Sequence, residues 1–220
     1  MALSKVDYNS LNVTAAASKA LKWNSTPNGF ETGDVGGDLV LIKTLTASSS
    51  GTLSFVNGSD DVVLNSTYKE YVFKFMDIHP GTADSTQWTF NLSADTGSNY
   101  NVTKTTTFVQ CYNNEDDTAT SVGYNTSGDL AQGTGFAQMF RSINNNNDDS
   151  LAGYLYLYDP SNTTFVKHFV GSTQGSNAAP ASYQGIFAGY GNTTSAVDAV
   201  QFKMNTGDID AGTIKMYGIK

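Results

Sequence analysis

The stretch "GYLYLYDPSNTTFVKHF" (153–169) decides the fold, because it holds the clearest strand pattern in the chain. In an extended strand its side chains fall on opposite faces, with Tyr154, Tyr156 and Tyr158 on one face and Leu155 and Leu157 on the other. The following "DPSN" suits a type I turn, in which proline fixes φ at the second position. The stretch predicts a hairpin of strands 151–158 and 163–171.

Further strands are predicted on both sides of this hairpin, separated by polar and glycine-rich turns. They are 38–47 and 51–58, paired as a hairpin, then 68–80, 86–95, 102–113, 127–143, 183–191, 196–204 and 211–219. The segment 171–182 is predicted to be a long flexible connection. About ten strands at this spacing, with no long helical pattern, predict an all-β antiparallel sandwich, most simply a jelly roll.

The strand at 86–95 shows how the core is built. Trp88, Phe90 and Leu92 alternate with polar residues, which predicts a half-buried strand. Since Trp88 shares its face with two apolar side chains, we expect it in the core rather than on a binding surface.

The first 37 residues differ from the rest, because they show no sustained period and end in a glycine pair. We expect two parts: an N-terminal anchoring arm or linker (1–37) and a β-sandwich domain (38–220). "ASKALKW" (17–23) is compatible with one helical turn, although so short a helix is marginal alone. The apolar residues expected to anchor the arm are Leu11, Val13, Leu21 and Trp23.

Composition excludes several classes of function. The formal charge is −8, Arg141 is the only arginine, and the lysines are scattered, so no footprint for nucleic acid is present. The sequence contains no run of eighteen apolar residues, so no membrane-spanning segment is predicted, and the N-terminus lacks the apolar core of an export signal. Cys111 is the only cysteine, which excludes a disulfide framework.

The residues offer little for catalysis. His79 and His168 have no second histidine at ligand spacing, and Cys111 lies in an apolar run, so structural roles are expected. Acidic pairs at 60–61, 116–117 and 148–149 fall in predicted loops, and "GDIDAG" (207–212) lacks the remaining ligands of a calcium loop. We therefore expect no enzyme activity, no metal site and no cofactor.

The tyrosine face of 153–158 has three possible roles. It could pack between the two sheets, form a subunit interface, or bind a sugar, since each tyrosine ring combines a flat apolar face with a polar tip. Coverage by protein is favoured over a sugar site, because buried aromatic area dominates cores and oligomer interfaces. Tyr154, Tyr156 and Tyr158 are therefore the candidate interface or glycan-facing aromatics.

Several motifs between residues 39 and 220 resemble a family found among the structural genes of marine tailed bacteriophages. They are "STYKEYVFKFMDIHPG", "SNYNVTKTTTF", "YLYDPSNTTFVKHFV", "AGYGNTTSAVDAVQFKM" and "DIDAGTIKMYGIK". "LNVTAAASKALKWNSTPNGFET" is similar to the connecting arm ahead of such domains. The resemblance implies a virion component and transfers no catalytic residue.

These observations predict a non-enzymatic virion protein, assembled in the host cytoplasm and displayed through its N-terminal arm. A tail-fibre or receptor-binding role is favoured, with capsid decoration as the alternative and a free carbohydrate-binding module as a second. The expected partners are tail or capsid subunits and further copies of the chain, with a trimer as one option, and a host-surface glycan is a further candidate.

Overall fold

A computed structural model describes residues 19–23, 29–34, 38–177 and 180–220. These residues form fourteen strands: β1 (Lys19–Trp23), β2 (Phe30–Asp34), β3 (Leu39–Thr46), β4 (Leu53–Val56), β5 (Glu70–Pro80), β6 (Thr86–Ser93), β7 (Lys104–Asn114), β8 (Thr120–Tyr124), β9 (Ala137–Ile143), β10 (Leu151–Tyr158), β11 (Lys167–Asn177), β12 (Ala181–Gly191), β13 (Ala199–Met204) and β14 (Ile209–Ile219). The chain divides into two units, Met1–Asp38 and Leu39–Lys220.

The larger unit is an antiparallel sandwich, which confirms the predicted fold class. Its eight-stranded sheet has the order β3-β14-β5-β10-β11-β12-β7-β8, and its four-stranded sheet has the order β4-β13-β6-β9. The chain crosses repeatedly between the two sheets, so neighbours in sequence often lie in different layers. This arrangement is consistent with a jelly-roll-like sandwich.

The core lies between the sheets and is centred on Phe202 of β13. Its ring stacks on Trp88 at 5.9 Å and contacts Phe73 and Phe75 of the facing sheet at 5.3 and 5.2 Å between centroids. Trp88 is fully buried, as predicted. Burial of these aromatic side chains supplies much of the apolar area that stabilises the sandwich.

The hairpin that decided the fold is confirmed. Strand β10 pairs with β11, with Leu151 opposite Gly175 and Leu157 opposite Phe169. The connection between them is longer than predicted, because β11 begins only at Lys167.

Three predictions about neighbouring segments are wrong. Strands β3 and β4 do not form a hairpin but lie in different sheets. Most of 171–182 belongs to the strands β11 and β12, which pair with each other. Within 127–143, only Ala137–Ile143 is a strand.

Strand β6 is more deeply buried than its alternation predicts. Thr89, Asn91 and Ser93, on the face expected to be exposed, are all buried. The Asn91 side chain donates hydrogen bonds to the carbonyl oxygens of Tyr100 and Thr134, from two loops that cover this face. The polar residues are therefore partnered within the protein instead of by solvent.

The N-terminal unit contains a two-stranded hairpin where a helical turn was considered. Trp23 of β1 pairs with Phe30 of β2, and their rings stack at 4.4 Å between centroids. Lys22 and Glu31 form an exposed ion pair at 3.3 Å. Lys19–Trp23 is a strand and not a helix.

Candidate interaction surfaces

The three tyrosines of β10 lie on the outer face of the eight-stranded sheet. Leu155 and Leu157 point into the core and are fully buried, whereas Tyr154 is 42% and Tyr158 37% exposed. Packing between the two sheets, one of the three roles considered for this face, is therefore wrong. The tyrosine rings form a strip, with Tyr154 edge-on to Tyr156 at 5.4 Å and Tyr156 parallel to Tyr158 at 6.3 Å.

The strip is the centre of a much wider apolar surface, which we call the outer face. Strand register places Tyr156 in a row that crosses seven strands. The row contains Leu41, Tyr217, Val72, Tyr156, Val170, Ala188 and Thr107. Six strand spacings of about 4.8 Å give this row a width of roughly 29 Å.

Exposed apolar side chains of the larger unit concentrate on the outer face. They are Leu39, Leu41, Val122, Tyr124, Tyr154, Tyr158, Val170 and Ile186, while Phe165 lies on a loop beside Tyr158. Single exposed apolar residues are ordinary, but a contiguous group of them marks an interaction surface.

Few charges interrupt this surface. In the rows through the three tyrosines, the charged side chains are Glu70, Lys74 and Lys215. Of the twenty acidic residues in the chain, Glu70 alone lies in these rows. Depletion of charge with enrichment in aromatic residues is the composition found at the centre of protein interfaces.

Phe165 is presented at one end of the outer face by a tightly bonded loop. Asp159 accepts hydrogen bonds from Asn162 at 2.9 Å and from Lys69 at 2.9 Å, and these bonds lower the pKa of its carboxyl group. The Asn162 side chain in turn accepts the backbone N–H of Phe165 at 2.8 Å. Phe165 is 68% exposed. Because these hydrogen bonds already order the loop, little conformational entropy is lost when Phe165 binds a partner.

Two of the four predicted arm anchors fall within the residues that the structure describes. Leu21 and Trp23 of β1 are 46% and 61% exposed, and Phe30 of β2 adds a third exposed apolar side chain. Leu11 and Val13 lie outside the described residues. A two-stranded hairpin that exposes its apolar side chains is marginally stable alone and gains stability by docking.

Titratable groups do not assemble into a recognisable catalytic centre in the described part of the chain. His79 lies 3.8 Å from Asp210 and 3.0 Å from the carbonyl of Asn146, whereas His168 lies on the outer face beside Tyr190. No group of three or more metal-ligating side chains is found in residues 19–23, 29–34, 38–177 and 180–220. In the same ranges, no helix is long and apolar enough to cross a membrane.

Two buried lysines were not singled out by sequence reasoning. Lys104 Nζ donates to Asn91 Oδ1 and, at 2.7 Å, to the carbonyl of Val102, and burial lowers its pKa to about 7. Lys167 Nζ donates to the carbonyl of Phe165 at 2.7 Å, and burial lowers its pKa as well. Both lysines hold loop carbonyls in place rather than pairing with a carboxylate.

The comparisons with known proteins identify no family. No protein-family model and no curated protein matches the chain. Among solved structures, the chain is similar to one titled "Structure of infectious bursal disease virus Gt strain", with 13% identity and a TM-score of 0.15. The similarity covers 88% of this chain and 45% of that chain, so this chain spans less than half of its length. A TM-score this low carries no argument about fold or function.

Proposed function

We propose that this chain is a non-enzymatic structural protein of a tailed-phage particle, in which the outer face forms the contact between copies. The observation that carries the proposal is the wide, charge-poor aromatic surface around Tyr156. The phage assignment comes from the resemblance of the sequence motifs, and it implies assembly in the host cytoplasm with tail or capsid subunits as partners.

The size of the outer face supports an interface. The rows through Tyr154, Tyr156 and Tyr158 are each roughly 29 Å long and are spaced about 6.7 Å apart along the strands. Together they cover on the order of 600 Å². This area includes polar side chains such as Thr44 and Ser172 as well as apolar ones. A specific interface buries about 800 Å² on each partner, so the outer face together with its rim reaches that range.

A second copy of the chain is the partner that best fits this surface. Two copies that met through acidic surfaces would repel each other, because each carries a net charge of −8. In the three tyrosine rows, however, the charged side chains are only Glu70, Lys74 and Lys215, so contact through these rows brings little like charge together. This distribution of charge supports a homo-oligomer, with a trimer as one option.

The hairpin of the N-terminal unit supports the proposed anchor. Trp23 and Phe30 form a stacked aromatic pair that is still largely exposed, which is the arrangement of a peptide that docks by burying aromatic side chains. The favoured role is a tail-fibre or receptor-binding component, and capsid decoration is the alternative that uses the same two surfaces.

The test is incorporation into particles. Hosts that produce the phage with either the full chain or residues 38–220 are lysed, and the copy number in purified particles is measured by quantitative mass spectrometry. We expect the full chain at a fixed stoichiometry and the truncated chain, still folded and soluble, to be lost. A copy number matching the tail proteins supports the fibre role, and one matching the coat protein supports decoration.

Absence of the full chain from the particles would overturn the proposal. Equal incorporation of residues 38–220 would overturn the assignment of the anchor alone.

A further inference from the structure

The smaller sheet leaves part of the larger sheet's inner face uncovered. Four strands cannot cover eight, and β9, at the edge of the smaller sheet, packs against β7, β11 and β12. Strand β8 continues the larger sheet beyond this point. A cleft of about 410 Å³ opens here, on the opposite side of the sheet from the outer face.

The floor of this cleft is aromatic. Tyr112 of β7 and Tyr183 of β12 are directly paired across the strands, and their rings are parallel to within 3° with centroids 6.1 Å apart. Tyr183 is buried and Tyr112 is half-buried, so Tyr112 presents the more accessible ring. A flat aromatic surface of this kind can stack against the apolar face of a pyranose ring.

One wall of the cleft carries the only arginine of the chain. Arg141 extends from β9, and its guanidinium makes a long hydrogen bond of 3.4 Å to Oε1 of Gln110 and lies beside the Tyr183 hydroxyl. No ion pair involves Arg141 among the side chains that the structure describes. An arginine that has no carboxylate partner among the described side chains, beside an aromatic floor, is suited to bidentate binding of a carboxylate.

Further polar groups converge on the same space. The Oε1 atom of Gln110 is saturated, because it accepts from Tyr183, from Asn125 at 2.6 Å and from Arg141. This network holds the Gln110 amide in the lining of the cleft. Ser142 and Asn114 line the rest of the wall and offer hydroxyl and amide groups for hydrogen bonds to sugar hydroxyls.

We propose that this cleft binds an acidic saccharide, with Arg141 holding the sugar carboxylate and Tyr112 stacking on the pyranose ring. The volume lies within the range of about 300–1,000 Å³ that is typical of small-molecule sites, and a few placed polar groups on an apolar surface are the usual composition of such sites.

A single carboxylate fits this cleft better than a polyanion does. The β7–β8 turn beside it carries Glu115, Asp116 and Asp117, which repel a highly charged ligand such as nucleic acid. Asp116 stays ionised more readily than an ordinary aspartate, because hydrogen bonds from Thr118 lower its pKa.

The experiment is ligand-observed NMR and calorimetry on the full chain with acidic sugars and their neutral counterparts. The probes are galacturonic acid and sialyllactose, which carry one carboxylate each, compared with galactose, lactose and acetate. We expect the acidic sugars to bind at least about tenfold more tightly than the neutral ones, since charge-assisted hydrogen bonds are roughly twice as strong as neutral ones.

Variants separate the two parts of the site. Arg141→Gln should remove the preference for acidic sugars, Arg141→Lys should retain part of it, and Tyr112→Ala should abolish binding of every saccharide. Lys74→Gln, which removes one positive charge from the outer face, is the matched control and should leave binding unchanged.

Three results would overturn the proposal: no binding of either acidic sugar, equal affinity for acidic and neutral sugars that does not respond to Arg141→Gln, or binding of acetate as tight as that of the saccharides. None of these results tests the proposed contact between copies through the outer face, which is tested by the mass of the assembly in solution.

Discussion

Replacement of Lys104 by methionine should change how the stability of the protein depends on pH. The side chain is fully buried, and its ammonium rests on Asn91 and the Val102 carbonyl with no carboxylate beside it. Burial lowers its pKa from 10.5 to about 7. Between pH 7 and pH 10.5, the Lys104 side chain is therefore protonated in the unfolded chain and deprotonated in the native protein.

The sign follows from this difference. Above pH 7 the unfolded state binds more protons than the native state, so the free energy of unfolding rises with pH by up to about 1.4 kcal/mol per pH unit. Below pH 7 both states are protonated and Lys104 contributes no pH dependence. From pH 7 to pH 9, the wild-type protein should therefore gain about 2 kcal/mol relative to Lys104→Met.

Urea denaturation of both proteins at pH 6, 7, 8 and 9 measures this difference. Lys74→Met, which removes an exposed lysine from the same sheet, is the matched control and should follow the wild-type curve. NMR titration of the Lys104 Cε resonance gives the same pKa without any substitution. The reasoning would be refuted if the free energy of unfolding depended on pH in the same way for wild type and Lys104→Met, or if the Lys104 resonance did not titrate below pH 9.

Three further predictions concern the architecture. Phe202→Ala should destabilise the sandwich by about 3–5 kcal/mol in urea denaturation, because five neighbouring rings lose their common contact; a loss below about 1 kcal/mol would contradict its central position. Gly171→Ala should cost at least about 1–3 kcal/mol, since a Cβ would collide with the Phe187 ring and the Tyr154 carbonyl, whereas Gly123→Ala meets nothing within 4 Å and serves as control. Deletion of residues 1–37 should leave the cooperative unfolding transition of the sandwich intact, and loss of that transition by circular dichroism would show that the two units fold together.

Local alternation made the central hairpin predictable, and the same rule failed where glycine replaced the inward side chain. The part of strand β11 after Gly171 is predicted as a loop, because Gly171 and Gly175 stand at positions where a strand normally shows apolar residues. At these positions a Cβ would meet the rings of Phe187 and Phe140. Glycine is required at these positions because large rings from neighbouring strands occupy the space of a side chain. The sequence of β11 alone does not show which rings pack against it.

Pairing between strands was less predictable than the strands themselves. A short polar turn such as 47–52 can close a hairpin or carry the chain from one sheet to the other, and its residues are suitable for both. Strand β8 was missed because both its faces are largely exposed, so its sequence lacks an apolar period. Edge strands of this kind owe their position to the neighbouring strand rather than to their own composition.

The two candidate sites differ in how far sequence could reveal them. The tyrosine strip is contiguous in sequence, so its residues were identified, but its neighbours Val72, Val170 and Tyr217 come from three other strands. The cleft combines Tyr112, Arg141 and Tyr183, which are brought together only by the pairing of β7 with β12 and the packing of β9. The only feature of the sequence that distinguishes Arg141 is that it is the single arginine of the chain.

The central claim is that the outer face joins copies of this chain, and the mass of residues 38–220 in solution tests it most directly. Light scattering is measured for the wild-type sandwich, for Ile186→Asp on the outer face, and for Gln201→Asp on the smaller sheet as a charge-matched control. We predict that the wild type and Gln201→Asp are oligomers of the same mass and that Ile186→Asp is a folded monomer. A wild-type monomer, or an oligomer that persists in Ile186→Asp, would contradict the claim.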